Sequence, residues 1–198
     1  NWTITGDLTV GNTGIGQLDI TASGTVTNDF GTIGNGIGSN GTVTVSGADG
    51  SGNASTWTNN GDLTIGQSGS GSLSILNGGA VSNLAGYISG AGGGGAVTVS
   101  GVGSNGTAST WTNAFELYVG FDGAGAGTLS ILNGGAVSSL GGYIGYNPGS
   151  PGTVTVSGVG SHGTASTWTN AGNLYVGYDG HGTLGIRKGG RVSNVLGN

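Results

Sequence analysis

Short runs in which Val, Ile or Leu alternates with Thr or Ser recur along the whole chain: LTV, LDI, VTV, LSI and AVSS among them. Alternation with a period of two is the pattern of a half-buried β-strand. Gly-rich stretches separate the runs, and no long segment carries helical periodicity. The runs themselves repeat. Trp2, Trp57, Trp111 and Trp168 stand at intervals of 55, 54 and 57 residues. A fixed period of this size predicts a stacked repeat architecture.

Each repeat divides into two similar halves, as in LYVGFDGAGAGTLSILNGGAVSS against YIGYNPGSPGTVTVSG…STWTN. Each half holds a short strand ending in Gly, a Gly-rich loop, a longer alternating strand, a turn, and a third short strand. The unit is therefore a three-strand coil, and about seven coils can be laid on one another. First strands centre on Thr9, Thr32, Thr64, Tyr87, Tyr118, Tyr143 and Tyr175. Second strands start their apolar alternation at Leu18, Val43, Leu73, Val97, Leu129, Val154 and Leu184. Third strands hold Val26, Trp57, Val81, Trp111, Val137, Trp168 and Val192, with Trp2 left from a preceding coil.

The fold expected is all-β: a parallel β-helix, or solenoid, with three short strands per coil. At a strand spacing of about 4.8 Å, seven coils make a rod of roughly 34 Å. The chain is one β-helix segment, 1–198, with repeats 2–56, 57–110, 111–167 and a partial 168–198. It begins and ends inside a repeat, which fits a segment of a longer structure. Val10, Ile33, Ile65, Ile88, Val119, Ile144 and Val176 form one expected interior column. The Trp residues are expected to point inward. The longer approach to them (SGVGSNGTAST) suggests a wider cross-section that admits the indole.

Composition adds two constraints. Gly accounts for 50 of 198 residues, and the regular spacing assigns it to turns. The acids number eight and the only basic residues are Arg187, Lys188 and Arg191. Residues 1–186 thus carry no Lys or Arg, which argues against nucleic acid as a partner. The absence of Cys removes disulfides and thiolate metal sites. No apolar run reaches spanning length, so no membrane insertion of this segment is expected.

No catalytic constellation stands out, and no enzyme activity, metal or cofactor is expected. Asp7, Asp62 and Glu116 recur before the first strand on alternate coils, a placement that suits solvated turns. His162 and His181 lie alone in loops, and no nucleophile elbow is present. The loops GFDGAGAG and GYDGHG lack the tandem copies of calcium-binding nonapeptides. Two columns remain. Asn28, Asn59, Asn83, Asn113, Asn170 and Asn194 share one position, with Ser139 in the remaining coil. They suggest a structural ladder of stacked amides. Tyr87, Tyr118, Tyr143 and Tyr175, flanked by Phe121, Tyr146 and Tyr178, suggest an outward aromatic strip on the later coils. Stacked rings stabilise a sheet, and they also suit sugar stacking or self-association. A Thr/Ser grid on the second face suggests an ice-binding surface, but Asp19, Ala96 and Gly185 interrupt it.

The phrases LYVG-x-DG-x-GTL-x-I, NGGAVS, YIG-x-x-PGS-x-GTVTVSG and STWTN resemble the passenger repeats of bacterial autotransporters, type V secreted adhesins of the self-associating and diffuse-adherence kind. The resemblance spans essentially the whole chain. It implies a right-handed β-helix shaft displayed on the bacterial cell surface or released outside it. It further implies adhesion, aggregation or biofilm growth, with a host-cell surface as partner. The exposed strand edges at the coil ends suggest end-to-end self-association into a filament, and the aromatic strip and the Thr/Ser/Asn faces suggest lateral self-association or glycan contact. The alternatives are a glycan- or ice-binding solenoid and, last, a polysaccharide-degrading β-helix enzyme.

Overall fold

The computed structural model describes residues 1–49 and 52–197. The repeat boundaries drawn from the sequence cross residues 50–51 and reach residue 198, which lie outside the described residues. Three parallel faces are built from strands that pair with their counterparts one coil above and one coil below. The second strands form a separate seven-stranded sheet from Ile15–Thr21 to His181–Arg187. The first and third strands form two further faces. They are joined where Thr167–Val176 runs unbroken from one into the other. The expected parallel β-helix of seven coils is the observed fold.

Register follows the sequence columns residue by residue. On the first face Thr9 pairs with Thr32, Thr32 with Thr64, Thr64 with Tyr87, and so on to Tyr143 with Tyr175. On the third, Val26, Trp57, Val81, Trp111, Val137 and Trp168 lie in one line. A one-residue slip would turn every apolar side chain outward, so the alternation itself fixes the register. Ile33, Ile65, Ile88, Val119 and Ile144 are fully buried, as are Val43, Val45, Ile75 and Val156. Val176 and Ile186, in the seventh coil, are about half exposed.

Trp57, Trp111 and Trp168 point inward and are 0% exposed. The space for them arises differently from the expectation of a wider coil. Strand one carries Leu8, Leu63, Leu117 and Leu174 in odd coils but Gly31, Gly86 and Gly142 in even coils. A Cβ on Gly86 would lie 3.0 Å from Trp111 Cζ2 and 2.9 Å from Leu117 Cδ1. Gly31 and Gly142 stand in the same relation to Trp57 and Trp168. Odd coils therefore fill their section with Leu and Val, and even coils with Gly and Trp. The long approach segments do not widen the core. They are pinched off as small hairpins: Val102 bridges Ala108, Val159 bridges Ala165, and Ala48 bridges Ala54, all antiparallel. A buried serine closes each base. Ser109 Oγ donates to Ser100 O (2.8 Å) and accepts from Gly78 N of the coil before (3.0 Å); Ser166 repeats both contacts with Ser157 and Gly134.

The Asn column is real but is not one continuous ladder. Asn28 Nδ2 donates to Asn59 Oδ1 (2.9 Å), and Asn83 Nδ2 to Asn113 Oδ1 (2.8 Å). Between these pairs the ladder breaks, because Asn59 Nδ2 turns to the Ser82 carbonyl (3.5 Å) and Asn113 Nδ2 to the Ser138 carbonyl (3.2 Å). The reason lies in the tryptophans. Trp57 Nε1 donates to Asn28 Oδ1 and Trp111 Nε1 to Asn83 Oδ1, both at 2.6 Å. Each indole thus needs the Asn of the coil before it, which divides the column into two-coil units. In the third unit Ser139 takes over, receiving Trp168 Nε1 (3.2 Å) and donating to Asn170 Oδ1 (2.7 Å).

The corner between first and second strands explains much of the glycine. In coil six Gly145 has φ +71°, and a Cβ on Gly152 would collide with the Val119 carbonyl oxygen and lie 2.6 Å from Gly145 N. These contacts are backbone and cannot swing aside. Gly152→Ala is expected to cost about 1–3 kcal/mol, the range for forced overpacking. Chemical denaturation checks it; an unchanged midpoint would show that the corner opens freely.

Candidate functional site: an aromatic strip and the hollow at its end

Seven rings lie on the outside of coils four to seven in two columns. Tyr87, Tyr118, Tyr143 and Tyr175 stack along the axis with centroids 5.1, 5.0 and 5.0 Å apart. Phe121, Tyr146 and Tyr178 stack beside them at 5.6 and 5.2 Å. Rings of the two columns meet edge to face, as Tyr118 and Tyr146 do at 4.9 Å and 78°. The spacing follows from the parallel ladder, which sets equivalent side chains about 4.8 Å apart. Offset and T-shaped contacts of this kind each contribute about 0.5–1.5 kcal/mol beyond area burial. Most of the rings are half-buried against one another, and Tyr178 is exposed. The sequence-predicted strip is thus brought together in full, whereas the Asn column serves the interior.

Burial in the strip is the main cause that raises the pKa of Tyr87, Tyr118 and Tyr143 above the ordinary tyrosine value. Charge adds to it: Asp62 and Glu116 act on Tyr87, and Glu116 acts on Tyr118. Because the folded pKa lies above the unfolded one, this contribution to stability is whole below about pH 10 and declines as pH rises beyond it. Phenolate absorbance is expected to show tyrosines that ionise late until the chain unfolds. A single ordinary titration of all six tyrosines would contradict the stacked strip.

The alternate-coil acids have a structural task. Asp7 Oδ1 accepts from Phe30 N (3.2 Å) and Asp62 Oδ1 from Ala85 N (2.9 Å), so each caps the backbone of the next coil. Asn173, in the same position of coil seven, donates to Tyr175 Oη at 2.7 Å. Among the described residues no group of three or more His, Cys, Asp or Glu is placed to hold a metal ion. No helix among them is long and apolar enough to cross a membrane.

The strip ends at coil four in a hollow of about 290 Å³. Its walls are Tyr87, Phe121, Asp62, Gln67, Asp122 and Thr64, over a floor at Gly90 and Ala91. The second outer column reads Asn12, Asn35, Gln67, Gly90, Phe121, Tyr146 and Tyr178. Gly90 is the position where a side chain is missing. The coil also breaks the corner rule: Ser89 takes φ +66°, where its counterparts Gly66 and Gly120 take +75° and +74°. Its buried hydroxyl lies within hydrogen-bond distance of two loop carbonyls beside the hollow, Gly93 O (2.8 Å) and Gly125 O (2.6 Å), which share its one proton. Sequence reading did not single out Gln67, Gly90 or Asp122; the gap in the outer column was the available signal. No protein-family model, curated protein or solved structure matches this chain.

Proposed function

We propose that this chain is a non-catalytic rod segment of an extracellular bacterial surface protein, of the autotransporter passenger kind its repeats resemble, and that rods associate side by side through the aromatic strip. One observation carries the reading: seven rings are gathered on one outer edge of coils four to seven, whereas the same columns hold Thr, Asn and Gln in coils one to three. Tyr supplies large contact area with a polar tip, the composition enriched at protein interfaces. Two copies of a rod of net charge −5 repel each other, and salt screens that repulsion. Association is therefore expected to strengthen as salt is raised.

The chain supplies its own control residues. Tyr118→Thr, Tyr143→Thr and Tyr146→Asn replace three rings of coils five and six with the residues that coils one and two hold in those columns, leaving Phe121 in place. Sedimentation of the triple variant is expected to show monomers at concentrations where the parent chain associates. Settling of bacteria that display the rod is expected to slow in parallel. Association that survives the three changes would rule out the strip as the contact.

A further inference from the structure

We propose that the hollow at coil four is a binding site for one neutral pyranose ring of a saccharide. The argument starts from the interrupted stack. Phe121 stacks on Tyr146 at 11°, so its opposite face looks along the axis toward Gly90, where no ring follows. Tyr87 stacks on Tyr118 at 4°, and its opposite face looks toward Thr64. Both columns thus end at the same hollow, where Tyr87 and Phe121 meet edge to face (4.8 Å, 72°) and no further ring stacks on either. Gln67 and Phe121 stand two rungs apart, about 9.6 Å, with Gly90 between them and the hollow opening above it. A Cβ on Gly90 would lie 2.9 Å from Gln67 Oε1 and 3.1 Å from Gln67 Cα, so the Gln67 amide leans over Gly90 and closes that end of the hollow.

The rim selects the ligand class. Asp62 spends Oδ1 on the Ala85 backbone, and Asp122 Oδ1 accepts from Gly123 N (2.9 Å) and Asn147 Nδ2 (3.4 Å), which leaves one carboxylate oxygen of each without a partner among the described residues. The Gln67 amide, the Tyr87 hydroxyl and the Thr64 hydroxyl likewise make no hydrogen bond among the described residues. Hydroxyl donors around a ring with an apolar C–H face match this set: carboxylates and amides accept from the hydroxyls while the ring stacks on aromatic faces. Two carboxylates, on a surface without Lys or Arg before residue 187, repel uronic and sialic acids. A second hollow of the same size, beside Glu116 and Tyr143, offers one ring and one carboxylate and lacks the paired faces.

This site rests on the strip described above but not on rod association. A single ring in so open a site binds weakly, at about the millimolar level expected of a small ligand. The test is ligand-observed NMR titration of the whole chain with neutral hexose oligosaccharides, with uronic-acid oligosaccharides and choline alongside. Neutral sugars are expected to bind. Affinity is expected to drop at least tenfold in Phe121→Ala and in the surface variant Gln67→Ala, and to stay within twofold in Tyr178→Ala. Unchanged thermal midpoints for Gln67→Ala keep folding out of the result. The proposal is overturned if no neutral sugar binds, if choline alone binds, or if Tyr178→Ala weakens binding as much as Phe121→Ala. Loss of sugar binding with association intact removes this site only. The reverse outcome removes the association reading and leaves the site standing.

Discussion

Trp111→Ala is expected to be among the most damaging single changes in the chain. The side chain is fully buried, and deleting a core Trp costs about 3–5 kcal/mol. The change also strands Asn83 Oδ1, which now receives the indole N–H at 2.6 Å, and an orphaned buried acceptor adds about 1–3 kcal/mol. The size exchange between faces gives a sharper form of the test. Gly86→Leu alone drives a side chain into the indole and is expected to destabilise as well. Gly86→Leu with Trp111→Val recreates the Leu–Val filling of an odd coil. Denaturant midpoints are expected to show the double variant well above the sum of the two single losses, since the residues share one cavity. Additive losses would mean that the two positions do not fill a common section.

Asn83→Leu ranks second. Asn83 joins Trp111 Nε1 to Asn113 Oδ1, so a leucine leaves a donor and an acceptor unpaired in the interior. Each costs about 1–3 kcal/mol. Asn83→Ser is expected to cost much less, because Ser139 already makes both contacts in the third two-coil unit. Equal losses for Leu and Ser would reduce the Asn column to filler.

Much of this fold is legible in the sequence because a parallel solenoid turns period into position. Each residue in a column meets its own counterpart, so the Thr/Tyr, Leu/Val and Trp/Val lines needed only the spacing. The limits are equally physical. The Leu–Gly alternation of the first strands is visible in the chain, but its complement, Val–Trp, lies on another face about 25 residues later. Only the cross-section brings Gly86 against Trp111. Spacing also gives the length of SGVGSNGTAST without saying whether it widens the coil or leaves it. The Val102–Ala108 bridge settles that it leaves. Amide pairing in the Asn column depends on which oxygen the indole has already taken, and a list of positions carries no such geometry.

The strip illustrates both sides. Its rings were placed by register alone, and their stacking follows from the ladder spacing. The hollow at its end depends on an absence, Gly90 between Gln67 and Phe121, and on two aspartates whose second oxygens the backbone leaves unused.

The most direct test of the strip as a contact surface uses the lack of cysteine. Asn147→Cys places a single thiol beside Tyr146, and Thr153→Cys places one on the exposed outer side of the second sheet. A short bifunctional maleimide is expected to give covalent dimers with Asn147→Cys, more of them as salt is raised, and few with Thr153→Cys. Equal yields from both positions, or dimers from Thr153→Cys alone, would contradict association through the aromatic strip.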